Sequence, residues 1–142
     1  MLLNYVFRHT SPKVFLPSHK LSVSLHPQNV RLQHTIMAGI YLHIPFCKRR
    51  CIYCDFFSTT ENEKKEAYIQ ALSKELELRK EYLGGETIDT IYLGGGTPSQ
   101  LEKKDFIRLF DYIYKVYPVN PQAEITLEAN PDDLTPEYVT ML

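Results

Sequence analysis

From residue 37 onward the apolar positions fall into short blocks separated by longer periodic stretches. Residues 39–44 (GIYLHI) form a β-rich block ended by Pro45, which predicts a strand. Across residues 62–83, Ile69, Leu72, Leu76 and Leu83 recur at three-to-four-residue steps, with charged residues on the other side. That spacing predicts an amphipathic helix, and Gly84-Gly85 supplies its stop. Residues 87–93 (TIDTIYL) predict a second strand, running into Gly94-Gly95-Gly96-Thr97-Pro98. A second helix is expected over 102–117, its apolar face made by Phe106, Leu109, Phe110, Ile113 and Tyr117. Residues 123–129 (AEITLEA) predict a third strand, broken by Asn130-Pro131.

The order is βαβαβ. Strands joined by helical crossovers of this length run parallel, with right-handed connections, so the fold class is α/β, as an open sheet or a barrel. In either, ligand sites gather at the carboxyl ends of the strands. A cysteine loop over residues 45–60, the glycine loop and Glu128 to Asn130 all fall there. Near the end, Thr135 is placed as an N-cap, Pro136 as the first helical residue and Glu137 in the first turn. The apolar face begun by Tyr138, Val139, Met141 and Leu142 stops after about two turns, which reads as a fold truncated at its third helix.

Composition qualifies this picture in two ways. With 142 residues, 44% hydrophobic and 23% charged, the chain is globular, and it has no stretch of about 18 apolar residues to cross a membrane. Its net charge of −1 hides an asymmetry. Residues 1–36 carry Arg8, Lys13, Lys20 and Arg31 and no acid, leaving 12 of the 16 basic and all 17 acidic groups to residues 37–142. An organellar leader would suit a basic, acid-free segment, but its prolines and few arginines fit that poorly. Residues 1–36 are therefore read as an N-terminal extension, disordered or upstream of a true start at Met37, and residues 37–142 as the functional unit.

Cys47, Cys51 and Cys54 form C-x3-C-x2-C directly after a strand. Three cysteines make a poor disulfide framework and point to a reducing, cytoplasmic setting. Thiolates suit zinc or iron–sulfur clusters. A structural zinc site wants four ligands, and His43 could be the fourth only by leaving its strand to reach the loop. A cubane [4Fe–4S] cluster can be held by three thiolates with one iron left open, and the uneven spacing suits it better. Lys48, Arg49 and Arg50 would offset its charge. From spacing alone the cluster, a zinc site and plain thiols remain open. The glycine loop is neither G-x-G-x-x-G nor a phosphate loop with its lysine. The tyrosines at 112, 114 and 117 lack a basic stripe, so nucleic acid is not an expected partner.

Taken together, Tyr41-Leu42-His43-Ile44-Pro45-Phe46-Cys47, Cys51-Ile52-Tyr53-Cys54, the Gly94–Pro98 stretch and Leu127-Glu128-Ala129-Asn130-Pro131 resemble the radical S-adenosylmethionine (SAM) superfamily. The lead-in narrows this to the branch holding oxygen-independent coproporphyrinogen dehydrogenase and the HemW-type heme chaperones. The resemblance implies that residues 37–142 are the N-terminal half of a partial (β/α)6 barrel. It implies that Cys47, Cys51 and Cys54 ligate a [4Fe–4S] cluster. Tyr41 and Tyr53 would lie beside SAM, Tyr53 near the adenine. Gly95, Gly96 and Thr97 would meet the methionyl end of SAM, and Glu128 would supply a SAM-contacting carboxylate. The cluster, once reduced by an electron donor, would cleave SAM to methionine and a 5′-deoxyadenosyl radical. The dehydrogenase of this branch has a further cysteine two residues after the third. Here Phe56 stands there, so the resemblance implies the HemW type, which binds heme and passes it to heme-accepting proteins, over the decarboxylating enzyme. No role follows for His43 beyond a buried, hydrogen-bonded histidine.

Overall fold

The structure is a computed structural model and describes residues 5–9 and 37–142. Residues 1–4 and 10–36 of the expected N-terminal extension lie outside the described residues. Four strands form one sheet in the order β1 (Tyr5–His9), β2 (Met37–Ile44), β3 (Ile88–Gly95), β4 (Val119–Leu127). The last three are parallel, with Ile40 opposite Ile91 and Leu93 opposite Leu127. Helices α1 (Lys65–Leu78) and α2 (Lys103–Val116) make the crossovers, and α3 (Pro136–Met141) follows β4. Strand β1 runs antiparallel to β2, Tyr5 opposite Tyr41, and covers an edge to which the sequence pattern assigned no element.

Alternation along the strands decides which side chains reach the core. Ile40, Leu42 and Ile44 on β2 and Ile91 and Leu93 on β3 are buried beneath Ile69, Leu72 and Leu76 of α1 and Leu109 and Ile113 of α2. Tyr41, His43 and Tyr92 occupy the intervening positions and so face the opposite side of the sheet. The buried hydroxyl of Tyr117 donates to the Leu76 carbonyl at 2.9 Å, fastening the end of α2 to α1. Among the described residues no helix is long and apolar enough to cross a membrane.

Several boundaries differ from the sequence pattern, and β3 runs two residues past its expected end to take in Gly94 and Gly95. The helix expected over 62–83 is a 3-10 turn at Asn62–Lys64, then α1, then a second 3-10 turn at Lys80–Leu83. The tighter turn sets Leu83 into the core and hands the chain to Gly84 and Gly85, both at positive φ. The third strand begins at Val119, ahead of Pro121, not at residue 123. Proline lacks an amide donor, but β4 is the last strand of the described sheet, and its register against β3 is irregular there. The first strand begins two residues earlier than expected, at Met37. At the other end, the Thr135 hydroxyl accepts from the Tyr138 amide at 3.2 Å and so caps α3 as the sequence indicated.

Candidate functional site

The site is built where β2, β3 and β4 hand over to their loops. Pro45 ends the ladder of β2, and the cysteine loop then closes on itself. The Cys47 amide donates to the Thr59 carbonyl at 2.9 Å, and the Thr59 amide donates to the Pro45 carbonyl at 2.8 Å. Phe46, between them, is buried against the edge of the Tyr68 ring. The base of the loop is thus fixed while its tip is open. Ile52, Tyr53, Phe56 and Phe57 are all largely exposed.

The glycine loop lies directly alongside. The Gly96 amide donates to the Ile44 carbonyl at 2.8 Å and the Thr97 amide to the Phe46 carbonyl at 2.9 Å. A Cβ on Gly96 would sit 2.7 Å from the Pro45 carbonyl, so no other residue allows the two loops to approach this closely. Gly95 has φ +112°, and a Cβ there would come within 2.5 Å of the His43 ring. The Thr97 hydroxyl donates to the Cys47 sulfur at 3.3 Å. Between the loops is a cleft of about 510 Å³ bordered by Cys47, Cys51, Cys54, Tyr53, Gly96 and Thr97, with Arg49 and Arg50 on its rim.

Tyr41, Gly95 and Glu128 do not border this cleft but assemble next to it around Tyr92. Tyr41 stacks on Tyr92 with ring centres 5.8 Å apart. The Tyr92 hydroxyl donates to Glu128 Oε1 at 2.7 Å, and the Gly95 amide donates to Glu128 Oε2 at 3.1 Å. The hydrogen bond to Glu128, helped by burial and the carboxylate charge, pushes the Tyr92 phenol above its ordinary value. His43 is buried: its Nε2 donates to the Phe57 carbonyl at 2.8 Å, which makes Nδ1 the acceptor for the Tyr41 hydroxyl at 3.1 Å. A zinc ligand at that position would need one of these nitrogens. Among the described residues no three His, Cys, Asp or Glu side chains converge to hold a single metal ion.

Two members of this neighbourhood carried no sequence signal as site residues. Tyr92 could be placed on the Tyr41 face by strand alternation, yet its bond to Glu128 joins positions 36 apart. Asp133, in the turn after β4, accepts from Lys48, Ser99 and Gln100. Burial pushes its carboxyl up, but the bonds from those three residues outweigh this and hold it below its ordinary value.

A family model, the radical SAM superfamily, matches residues 41–142. The chain belongs to the radical SAM superfamily. Among radical SAM relatives, it is 40% identical over 104 residues to heme chaperone HemW of Mycobacterium tuberculosis, covering 70% of this chain and 27% of that one. With heme chaperone HemW of Bacillus subtilis the identity is 37% over 108 residues, covering 75% of this chain and 28% of the relative. Among solved structures, coproporphyrinogen III oxidase (HemN) from Escherichia coli superposes with a TM-score of 0.65 at 30% identity, over 71% of this chain and 24% of the oxidase. The chain therefore spans about a quarter of the length of these radical SAM proteins. Its three parallel strands alternating with helices correspond to part of the radical SAM (β/α) fold. Membership implies a [4Fe–4S] cluster and SAM. The residues fit both: three thiols on one loop supply soft donors, and Gly96, whose missing side chain lets the two loops close together, borders the same cleft with Thr97.

Proposed function

We propose that this chain is the cluster- and SAM-binding part of a HemW-type heme-handling protein. The observation that carries the reading is the common cleft: Cys47, Cys51 and Cys54 share it with Gly96 and Thr97, the loops of two adjacent parallel strands. In this reading the three cysteines ligate the cluster, each on its own iron, so their sulfurs need not converge as around a zinc ion. Gly95, Gly96 and Thr97 would meet the methionyl end of SAM, and Tyr53 would lie by the adenine. Tyr41 and Glu128 bound the neighbouring end of the SAM site through their contacts with Tyr92.

The bound cluster and SAM supply one-electron reductive chemistry. The chain's own part is to seat and orient them. Arg49 and Arg50 add positive charge at the rim, offsetting the thiolates. Thr97 donates a hydrogen bond to one sulfur, which tunes the electron affinity of whatever that sulfur binds. The ligand of the whole protein is heme or a related porphyrin. Its partners are a one-electron donor to the cluster and proteins that accept heme.

Support for heme handling over porphyrinogen oxidation comes from Phe56. It is exposed two residues after Cys54, where the decarboxylating branch carries a further thiol. Support for the second reading, oxidative decarboxylation of coproporphyrinogen, is the structural likeness to coproporphyrinogen III oxidase. Anaerobic reconstitution tests the site: iron and inorganic sulfide in equal amounts are expected, whereas zinc without sulfide would end the cluster reading. For the whole protein, stable heme binding without decarboxylation of coproporphyrinogen is expected. Turnover of coproporphyrinogen without heme binding would decide for the oxidase.

A further inference from the structure

One carboxylate ties together the three loops at the carboxyl ends of β2, β3 and β4. Asp133 lies in the 3-10 turn Pro131–Asp133 that follows β4. Its Oδ1 accepts from Lys48 Nζ at 2.5 Å. Its Oδ2 accepts from Ser99 Oγ at 2.6 Å and Gln100 Nε2 at 2.5 Å, and Ser99 Oγ in turn accepts from the Asn130 amide at 3.0 Å. Lys48 adjoins Cys47 in the cysteine loop, and Ser99 and Gln100 follow Thr97-Pro98 in the glycine loop.

The two ends of the pair differ in kind. The Asp133 side chain is 6% exposed and the Lys48 side chain 62%. A carboxylate withdrawn from water to this degree is costly unless its bonds are satisfied, and three donors satisfy this one. Among the described residues, the bond from Lys48 is the only side-chain hydrogen bond or ion pair from residues 48–56 to another element. Beyond the loop's two ends, where Thr97 bonds the Cys47 sulfur and His43 the Phe57 carbonyl, the other backbone bonds among the described residues 48–56 are short-range ones within the loop, such as the Cys54 amide to the Cys51 carbonyl at 3.2 Å.

We propose that Asp133 is a positioning residue for the cysteine loop. Anchored by Ser99 and Gln100, it grips Lys48 and holds the segment after Cys47 over the cleft. Swinging the loop away breaks a charge-assisted bond and strands a buried carboxylate, so the loop is held shut from outside itself. The clamp uses protein groups alone and acts on the metal-free chain as on the loaded one. Its consequence for the cofactor rests on the reading of Cys47, Cys51 and Cys54 as cluster ligands.

The test compares the full chain with Asp133→Asn, which keeps size and an acceptor for Ser99, with Lys48→Met, and with both together. Two rates are read: tryptic cleavage after Arg49 and Arg50 in the metal-free protein, and bleaching of the reconstituted protein by an iron chelator. Each single variant is expected to raise both rates about tenfold, the worth of one bond to a charged group. The double variant should be no faster than either single one, since both remove the same bond. Wild-type rates in Asp133→Asn, or rates that multiply in the double variant, would overturn the clamp. Should Asp133→Asn melt globally, Lys48→Met decides, because its exposed side chain leaves the core untouched. A wild-type protein that takes up no iron and sulfide would sink the cluster reading, while the cleavage rates still judge the clamp.

Discussion

The Thr97 hydroxyl donates to the Cys47 sulfur across 3.3 Å, so the loop after β3 touches the first cysteine of the loop after β2. A hydrogen bond to sulfur favours the more negative, reduced form of a cluster ligated through it. Thr97→Val should therefore lower the midpoint potential of the reconstituted cluster. At about 1 kcal/mol for the bond and 59 mV per tenfold for one electron, the shift is about 40 mV. A potentiometric titration followed by electron paramagnetic resonance reads it, and an unchanged midpoint would remove Thr97 from the sulfur's surroundings.

Two glycine substitutions should separate backbone strain from steric contact. Gly85 has φ +83° with open space around its missing Cβ, so Gly85→Ala should cost about 1 kcal/mol in urea unfolding. Gly96 is crowded by the backbone of Ile44 and Pro45, so Gly96→Ala should cost more, about 2–3 kcal/mol. Equal costs would mean that the two loops are not packed as described.

Tyr92 should titrate late. Its phenol is pushed up by Glu128, so the contribution of that hydrogen bond is complete below the ordinary tyrosine range and disappears as pH rises through the raised value. Ultraviolet titration of the wild type minus Tyr92→Phe should show one tyrosine ionising above its ordinary pKa. In Glu128→Ala the same difference should move back down toward about 10. A difference curve indifferent to Glu128 would contradict the pairing.

Acid should loosen the cysteine loop through Asp133. Its carboxyl is held below its ordinary value, so the clamp is intact above that value and fails as pH falls through the lowered one. Hydrogen exchange over residues 48–56, corrected for intrinsic rates, should lose protection on acidification in the wild type. In Asp133→Asn the loop should be already open and change little.

The regular parts of the fold were readable because each obeys one period. Ile40, Leu42 and Ile44 alternate, and Ile69, Leu72 and Leu76 recur on one helical face, so neither block needs a distant partner to declare itself. Pro121 hid the start of β4, since a missing amide donor argues against a strand until its edge position is known. The motif residues divided on folding: the three cysteines, Tyr53, Gly96 and Thr97 border one cleft, while Tyr41, Gly95 and Glu128 meet at Tyr92. That division, like the grip of Asp133 on Lys48 from 85 positions away, depends on which loops lie side by side. No local pattern encodes it.

The closed base of the cysteine loop has a consequence for the order of events in the protein's life. Residues 47–58 lend no apolar side chain to the core, and the exchange between Cys47, Thr59 and Pro45 seals them off like a drawstring. The sheet and its two crossover helices can therefore mature without metal, unlike a zinc finger, whose folding waits for its ion. Under the proposed reading of Cys47, Cys51 and Cys54, cofactor insertion would be a late and repeatable act, and a cluster lost to oxygen would be rebuilt in a chain that had not unfolded.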